Sequence, residues 1–222
     1  MRGKNKMSLE NIAINILSKE KTITPIVSAP GTFSEIVIHE TEDSPWDEIN
    51  DDWHLKAEPS YSQNLIEQYK FFNQGIYSPK RVFYPCSELD ASPVQGFPDA
   101  EVVIMDKDER TSGVMKRHKV PGYIQEDVLT YIPKKPFDLV IILNPQQNSK
   151  DLTKHLVKGG FVLANNWHDN ASELSENPNY QEIGTIDRDE KGYFLAGNLK
   201  KLEPNQFETY FYVFRNRGVE EA

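Results

Sequence analysis

Cysteine occurs once, at Cys86, which leaves no internal disulfide framework and no cysteine-cluster zinc site. That scarcity makes a cytoplasmic address the expectation. The histidines, at 39, 54, 118, 155 and 168, show no His-x-x-x-His and no cysteine partner spacing, so no metal site is expected. Glycine-rich phosphate loops are missing too: there is no Gly-x-Gly-x-x-Gly, no P-loop lysine and no Gly-x-Ser-x-Gly elbow. No apolar run approaches the roughly 18 residues a membrane span needs. The start, Met1 to Lys6, is basic, but Ser8 to Leu17 is broken by Glu10, Asn11 and Asn15, unlike the core of a signal peptide. Positive charge is in deficit, with 25 Lys+Arg against 34 Asp+Glu and a net charge of −9. A broad nucleic-acid surface needs the opposite balance.

What remains is a globular chain of 222 residues, 38% hydrophobic, with 11 Phe and 10 Tyr. That is enough apolar material for one packed core with an added arm. It divides near residue 80. Residues 1–80 read as an irregular N-terminal extension. Leu9, Ile12, Ala13, Ile16 and Leu17 fall at helical spacing behind Ser8. Thr32 to His39 is rich in Ile, Val and Phe and reads as a strand. Glu40 to Asp52 carries seven acidic residues and no basic one. It is either a solvated loop or, with Trp46 and Trp53 beside it, a lid over a cleft. A helix follows from Ser60 to Gln74, with Ser60 and Gln63 at capping-box spacing. Tyr61, Leu65, Tyr69 and Phe72 line its buried face, and Gly75 ends it.

Residues 81–222 alternate strand and helix signals, the mark of a mostly parallel sheet with helices on its faces. Arg81–Pro85, Glu101–Asp106, Phe137–Leu143 and Phe161–Ala164 are continuous apolar runs, as expected of strands buried on both sides. A weaker strand falls at Gly122–Gln125. Helices are expected at Ser92–Phe97, Asp108–His118 and Ser149–Val157, the last stopped by Gly159-Gly160. Tyr180–Ile186 and Thr209–Phe214 read as an antiparallel pair at the sheet edge, giving about seven strands in all.

This order of elements, with an acidic strand end at Asp106, an apolar strand leading to Asn144-Pro145 and a terminal β pair, resembles the Rossmann-like α/β fold of class I S-adenosylmethionine-dependent methyltransferases over residues 78–214. Tyr84-Pro85 and Asp90-Ala91-Ser92-Pro93 also resemble the nucleotide loop of bacterial proteins of unassigned function with such a core. The resemblance implies S-adenosylmethionine as cofactor, bound in the cleft beyond the carboxyl ends of the strands.

Five places are candidates for that site. The loop Tyr84-Pro85-Cys86-Ser87-Glu88-Leu89-Asp90 follows the first strand. The resembled family places glycines here, whereas this chain has none between Val82 and Gln95. Cys86 and Ser87 are small substitutes, and Asp90 and Ser92 can bond at the next helix start. A structural turn and a ligand loop are both open readings. Asp106 ends the second strand about 20 residues on, where a carboxylate can take the ribose hydroxyls of a nucleoside. Asp127, with Val128 beside it, matches the family's adenine contact, or else caps a helix. Asn144-Pro145-Gln146 follows the apolar strand where amino-methylating relatives carry an Asn-Pro-Pro-aromatic motif; here only Asn144 and Pro145 agree. His168, after Asn165-Asn166-Trp167, is a candidate general base because an imidazole titrates near neutrality.

Two functions are expected from these residues. The first is a methyltransferase acting on a small-molecule acceptor. The alternative is a non-catalytic nucleotide-binding or scaffold protein on the same fold. A dinucleotide-dependent enzyme fits less well, because a pyrophosphate needs the close backbone approach that glycines allow.

Overall fold

The computed structural model describes residues 53–143, 145–197 and 211–218. The expected helix at Ser8–Leu17, the strand at Thr32–His39 and the acidic run with Trp46 lie outside these residues, as does the side chain of Trp53. The described chain runs α1 (Trp53–Lys56), α2 (Gln63–Gly75), β1 (Arg81–Pro85), α3 (Ser92–Gly96), β2 (Glu101–Asp106), α4 (Glu109–Arg117), β3 (Tyr123–Gln125), β4 (Phe137–Ile142), α5 (Ser149–Thr153), β5 (Leu156–Ala164), α6 (Asn170–Glu176), β6 (Tyr180–Asp189), β7 (Gly192–Ala196) and β8 (Tyr212–Asn216).

The strands form one eight-stranded sheet in the order β3-β2-β1-β4-β5-β8-β6-β7. β1, β2, β3, β4 and β5 pair in parallel. β8 runs antiparallel to both β5 and β6, and β7 antiparallel to β6. The expected adjacency of the first strand and the apolar strand is present, with Val82 opposite Leu139 and Phe83 opposite Val140. The terminal pair is present as well. It is extended by β7, which reads in sequence as part of a polar link.

Alternation along each strand sends neighbours to opposite faces. Val82, Tyr84, Ile104, Leu139, Ile141 and Leu163 meet Tyr69 and Phe72 of α2 on one side. Phe83, Val103, Met105, Val140 and Ile142 meet Leu152 of α5 and Leu174 of α6 on the other. All but Val103, at 9%, are 2% exposed or less, so the continuous apolar runs reflect burial on both faces.

Two local expectations change. The N-cap of α2 is Ser62, whose hydroxyl accepts from Leu65 N–H at 3.4 Å. Ser60 instead bridges to Asp90 in parallel, donating its N–H to Leu89 O at 2.7 Å. The helix expected to reach Val157 stops at Thr153, and β5 begins at Leu156. There Leu156 pairs with Phe137 and Phe161 with Leu139, so residues 157–160 stand opposite Asp138 alone. Gly159, at φ +83°, turns this bulge.

Candidate functional site

In this strand order β1 is flanked by β2 and β4. The chain winds from β1 outward to β3, then returns to the other side of β1, so its crevice is the point where strand order reverses. A cavity of about 1050 Å³ opens there, over the carboxyl ends of β1 to β5. Of the residues read from sequence, Cys86, Asp106, Asp127, Val128 and His168 line it.

The loop after β1 sets its floor. Cys86 and Glu88 both adopt the left-handed backbone region, at φ 55° and 48°. This conformation favours glycine because a Cβ crowds the following carbonyl. The loop thus makes glycine-like turns without glycine. Ser87 donates its N–H to Met105 O at 3.1 Å, and Glu88 donates to Asp106 Oδ2 at 2.9 Å. The strain is held by bonds to the neighbouring strand.

Asp106 is half-buried. Its other oxygen, Oδ1, accepts from Asp108 N–H at 2.9 Å. Asp108 caps α4, accepting from Thr111 N–H at 2.8 Å. That bond, with Arg110 beside it, holds the Asp108 carboxyl below the usual range. Asp127 accepts from Leu129 N–H at 2.9 Å and lies 3.8 Å from the Lys107 ammonium. It opens a single turn, not a helix, with Tyr131 N–H on its carbonyl at 3.0 Å. Buried Val128 follows it.

The Cys86 thiol donates to Gln147 Oε1 at 3.1 Å. Burial first, then the nearby Asp106 charge, push its pKa up to about 11; Lys107 pulls the other way, and Asp127 adds a smaller push. It is therefore a neutral donor at physiological pH. Gln147 is also tied through its backbone, where its carbonyl accepts from Asn170 Nδ2 at 3.0 Å. Trp167 and His168 close the far side, their rings 6.2 Å apart and edge to face.

Three residues of the expected site stand behind the wall rather than on it. Tyr84 is 2% exposed and belongs to the core. Ser87 is buried, with its N–H spent on Met105. Asp90 accepts from Ser92 N–H at 3.0 Å and from the Ser92 hydroxyl, and its carboxyl is raised by burial, which those bonds oppose. These three build the turn that presents Cys86 and Glu88. Asn144 lies outside the described residues. Wall residues not singled out from sequence include Lys107, Asp108, Arg110 and Thr111. Their only signal is position, directly after the strand-end acid. Among the described residues no group of three His, Cys, Asp or Glu is placed to hold a metal, and no helix is long and apolar enough to cross a membrane.

No protein-family model and no curated protein matches the sequence. Solved structures do match. N-methyltransferase NodS from Bradyrhizobium japonicum WM9, in complex with S-adenosyl-L-homocysteine, aligns at 15% identity over 76% of this chain and 94% of its own, with a TM-score of 0.50. Cofactor-bound Rv0187 from MTB aligns at 14% identity over 96% of this chain and 99% of its own, with a TM-score of 0.50. A candidate caffeoyl-CoA O-methyltransferase from Staphylococcus aureus aligns at 11% identity over 79% and 93%, with a TM-score of 0.52. With the strand order and the antiparallel β8, these likenesses show the Rossmann-like fold of class I S-adenosylmethionine-dependent methyltransferases.

Proposed function

We propose that this protein is an S-adenosylmethionine-dependent methyltransferase acting on a small-molecule acceptor. The observation that carries this reading is Asp106. Its carboxylate ends β2 in the wall of the cavity, at the crevice where strand order reverses. Each of its oxygens accepts one backbone N–H. A carboxylate oxygen has two lone-pair sites, so each retains one for a ribose hydroxyl.

The rest of the wall fits the cofactor. The cavity is at the upper end of ordinary ligand sites, about 300–1,000 Å³, with room for cofactor and acceptor together. Val128 offers an apolar edge beside an adenine ring, and the free lone pairs of Asp127 offer acceptors for its amino group. The turns at Cys86 and Glu88 bring backbone close to the ligand where the family uses glycine. The NodS structure of the same fold holds S-adenosyl-L-homocysteine. When bound, S-adenosylmethionine supplies a methyl group on a positively charged sulfur. The chain's own part is to bind, orient and move a proton. His168, exposed at the rim, is the base for an acceptor's proton. Asn144, which follows β4 in the sequence, is the other acceptor-side residue in this reading.

Isothermal titration with S-adenosyl-L-homocysteine, paired with thermal unfolding, tests it. Ligand at a hundred times its dissociation constant should stabilise the native state by about 2.7 kcal/mol. No heat of binding at millimolar ligand would turn the reading towards a scaffold protein on the methyltransferase fold.

A further inference from the structure

The wall of the cavity divides by charge. Its carboxylates and cations, Glu88, Asp106, Lys107, Asp108, Arg110 and Asp127, come from the ends of β1 to β3 and the start of α4. The ends of β4 and β5 contribute Pro145, Gln146, Gln147, Trp167 and His168, among which no side chain is a carboxylate, an ammonium or a guanidinium. If the charged half holds the nucleoside, as proposed above, the uncharged half faces the acceptor. We propose that this half takes a small, uncharged phenol, with its ring against Trp167 and its hydroxyl between Gln147 and His168.

Charge argues for the first property. A phosphate, a carboxylate or an ammonium entering the β4–β5 half finds no opposite charge among the described residues there, and an unpaired charge removed from water is costly. The cations that line the cavity belong to the other half, where Lys107 lies 3.8 Å from Asp127 and Arg110 3.6 Å from Asp108. Acceptors carried on nucleotides, and protonated amines, are therefore disfavoured. Shape argues for the second property. Half-buried Trp167 is the large apolar side chain of this half among the described residues, and aromatic faces favour flat ring partners.

Proton chemistry selects the hydroxyl. A phenol is far more acidic than an aliphatic hydroxyl, so a side-chain base takes its proton far more readily. The phenol proton passes to a ring nitrogen of His168, which is exposed and can release it to solvent. Gln147 supplies the opposing donor. Its Oε1 is committed to the Cys86 thiol and its backbone carbonyl to Asn170. The side chain is thereby oriented with its N–H groups left to donate to the acceptor oxygen.

The test uses three phenols that differ in charge: 4-methylphenol, 4-hydroxybenzoate and tyramine. Each is titrated calorimetrically into the full chain saturated with S-adenosyl-L-homocysteine. The neutral phenol is expected to bind at least tenfold more tightly than either charged one. Trp167→Ala should weaken it at least tenfold while leaving the S-adenosyl-L-homocysteine affinity unchanged, which also certifies folding, and Trp167→Phe should restore most of the loss. If S-adenosyl-L-homocysteine binds but the neutral phenol does not, or a charged phenol binds equally well, the acceptor assignment is overturned and the cofactor reading stands. If S-adenosyl-L-homocysteine itself fails to bind, both fall.

Discussion

The amide of Glu88 donates to Oδ2 of Asp106 at 2.9 Å, tying the loop after β1 to the end of β2. One carboxylate thus serves the fold and the proposed site together. Were Asp106 a solvent-facing strand-end acid, its loss would leave folding nearly intact. The structure makes it a half-buried acceptor of two backbone amides. The Glu88 bond is exposed and the Asp108 bond part-buried, so each contributes about 0.5–1.5 kcal/mol. Asp106→Ala should therefore lower the unfolding free energy measurably in urea melts. Asp106→Asn retains one acceptor oxygen, so it should destabilise less. It should still weaken S-adenosyl-L-homocysteine at least tenfold, because a hydrogen bond to a charged acceptor contributes about 1.5–3 kcal/mol. Titration of both variants checks this, and equal binding by Asp106→Asn would move the cofactor site elsewhere.

Glu88 is exposed and left-handed, at φ 48°. A non-glycine residue there carries about 1–2 kcal/mol of strain, and glycine's extra chain entropy returns roughly 0.5–1 kcal/mol of it. Glu88→Gly should thus be neutral or stabilising, by up to about 1.5 kcal/mol, or roughly 3–6 °C in Tm for a domain of this size. Glu88→Val should be destabilising, because a β-branched side chain is least tolerated at positive φ. Calorimetric melts of the two variants separate strain from any role of the carboxylate.

Cys86 should be slow to alkylate in the native state. Its thiol pKa is pushed up to about 11 from an ordinary value of 9.0. The unfolded chain releases the proton first as pH rises. The stability linked to this thiol is therefore whole below pH 9 and is lost between about 9 and 11. Iodoacetamide labelling across that range should show native reactivity rising with a midpoint near 11. A native midpoint at the ordinary thiol value would show the cavity floor to be open to water.

Gly96 marks where α3 presses on α2. A Cβ placed there would lie 2.3 Å from Tyr69 Cβ, so Gly96→Ala must push the two helices apart. Overpacking of this kind costs typically about 1–3 kcal/mol. Denaturant melts should show that loss. A variant as stable as wild type would mean that α2 is loosely held.

Most of the sheet was legible from the apolar pattern, because strands buried on both faces leave near-continuous apolar runs, as Leu139–Leu143 does. The register changes were not. Nothing in Leu156–Gly160 announces that Leu156 pairs with Phe137 before the bulge, since helix and strand compete for such a segment until tertiary pairing decides. β7 was hidden for a related reason. Gly192–Ala196 is short and half-buried, and its pairing with Thr185–Asp189 supplies what its composition does not. Asp106, read from its strand-end position, and Asp127, read from the family resemblance, both line the cavity. Tyr84, Ser87 and Asp90 lie in the same loop but face inward, a distinction that depends on which way each residue of an irregular turn points. Glu88 stood in that loop with no role of its own, since nothing in the sequence shows that the backbone turns left-handed there.

The placement of β8 bears on how the protein is made. Tyr212–Asn216 lies between β5 and β6 and is the strand through which the two are joined. Until it has been synthesised, the parallel half of the sheet and the β6–β7 hairpin each present an unpaired edge, the kind of edge that invites pairing with another chain. On the ribosome, the interval between β7 and β8 is thus the stretch of synthesis during which the nascent protein most needs shielding from its neighbours.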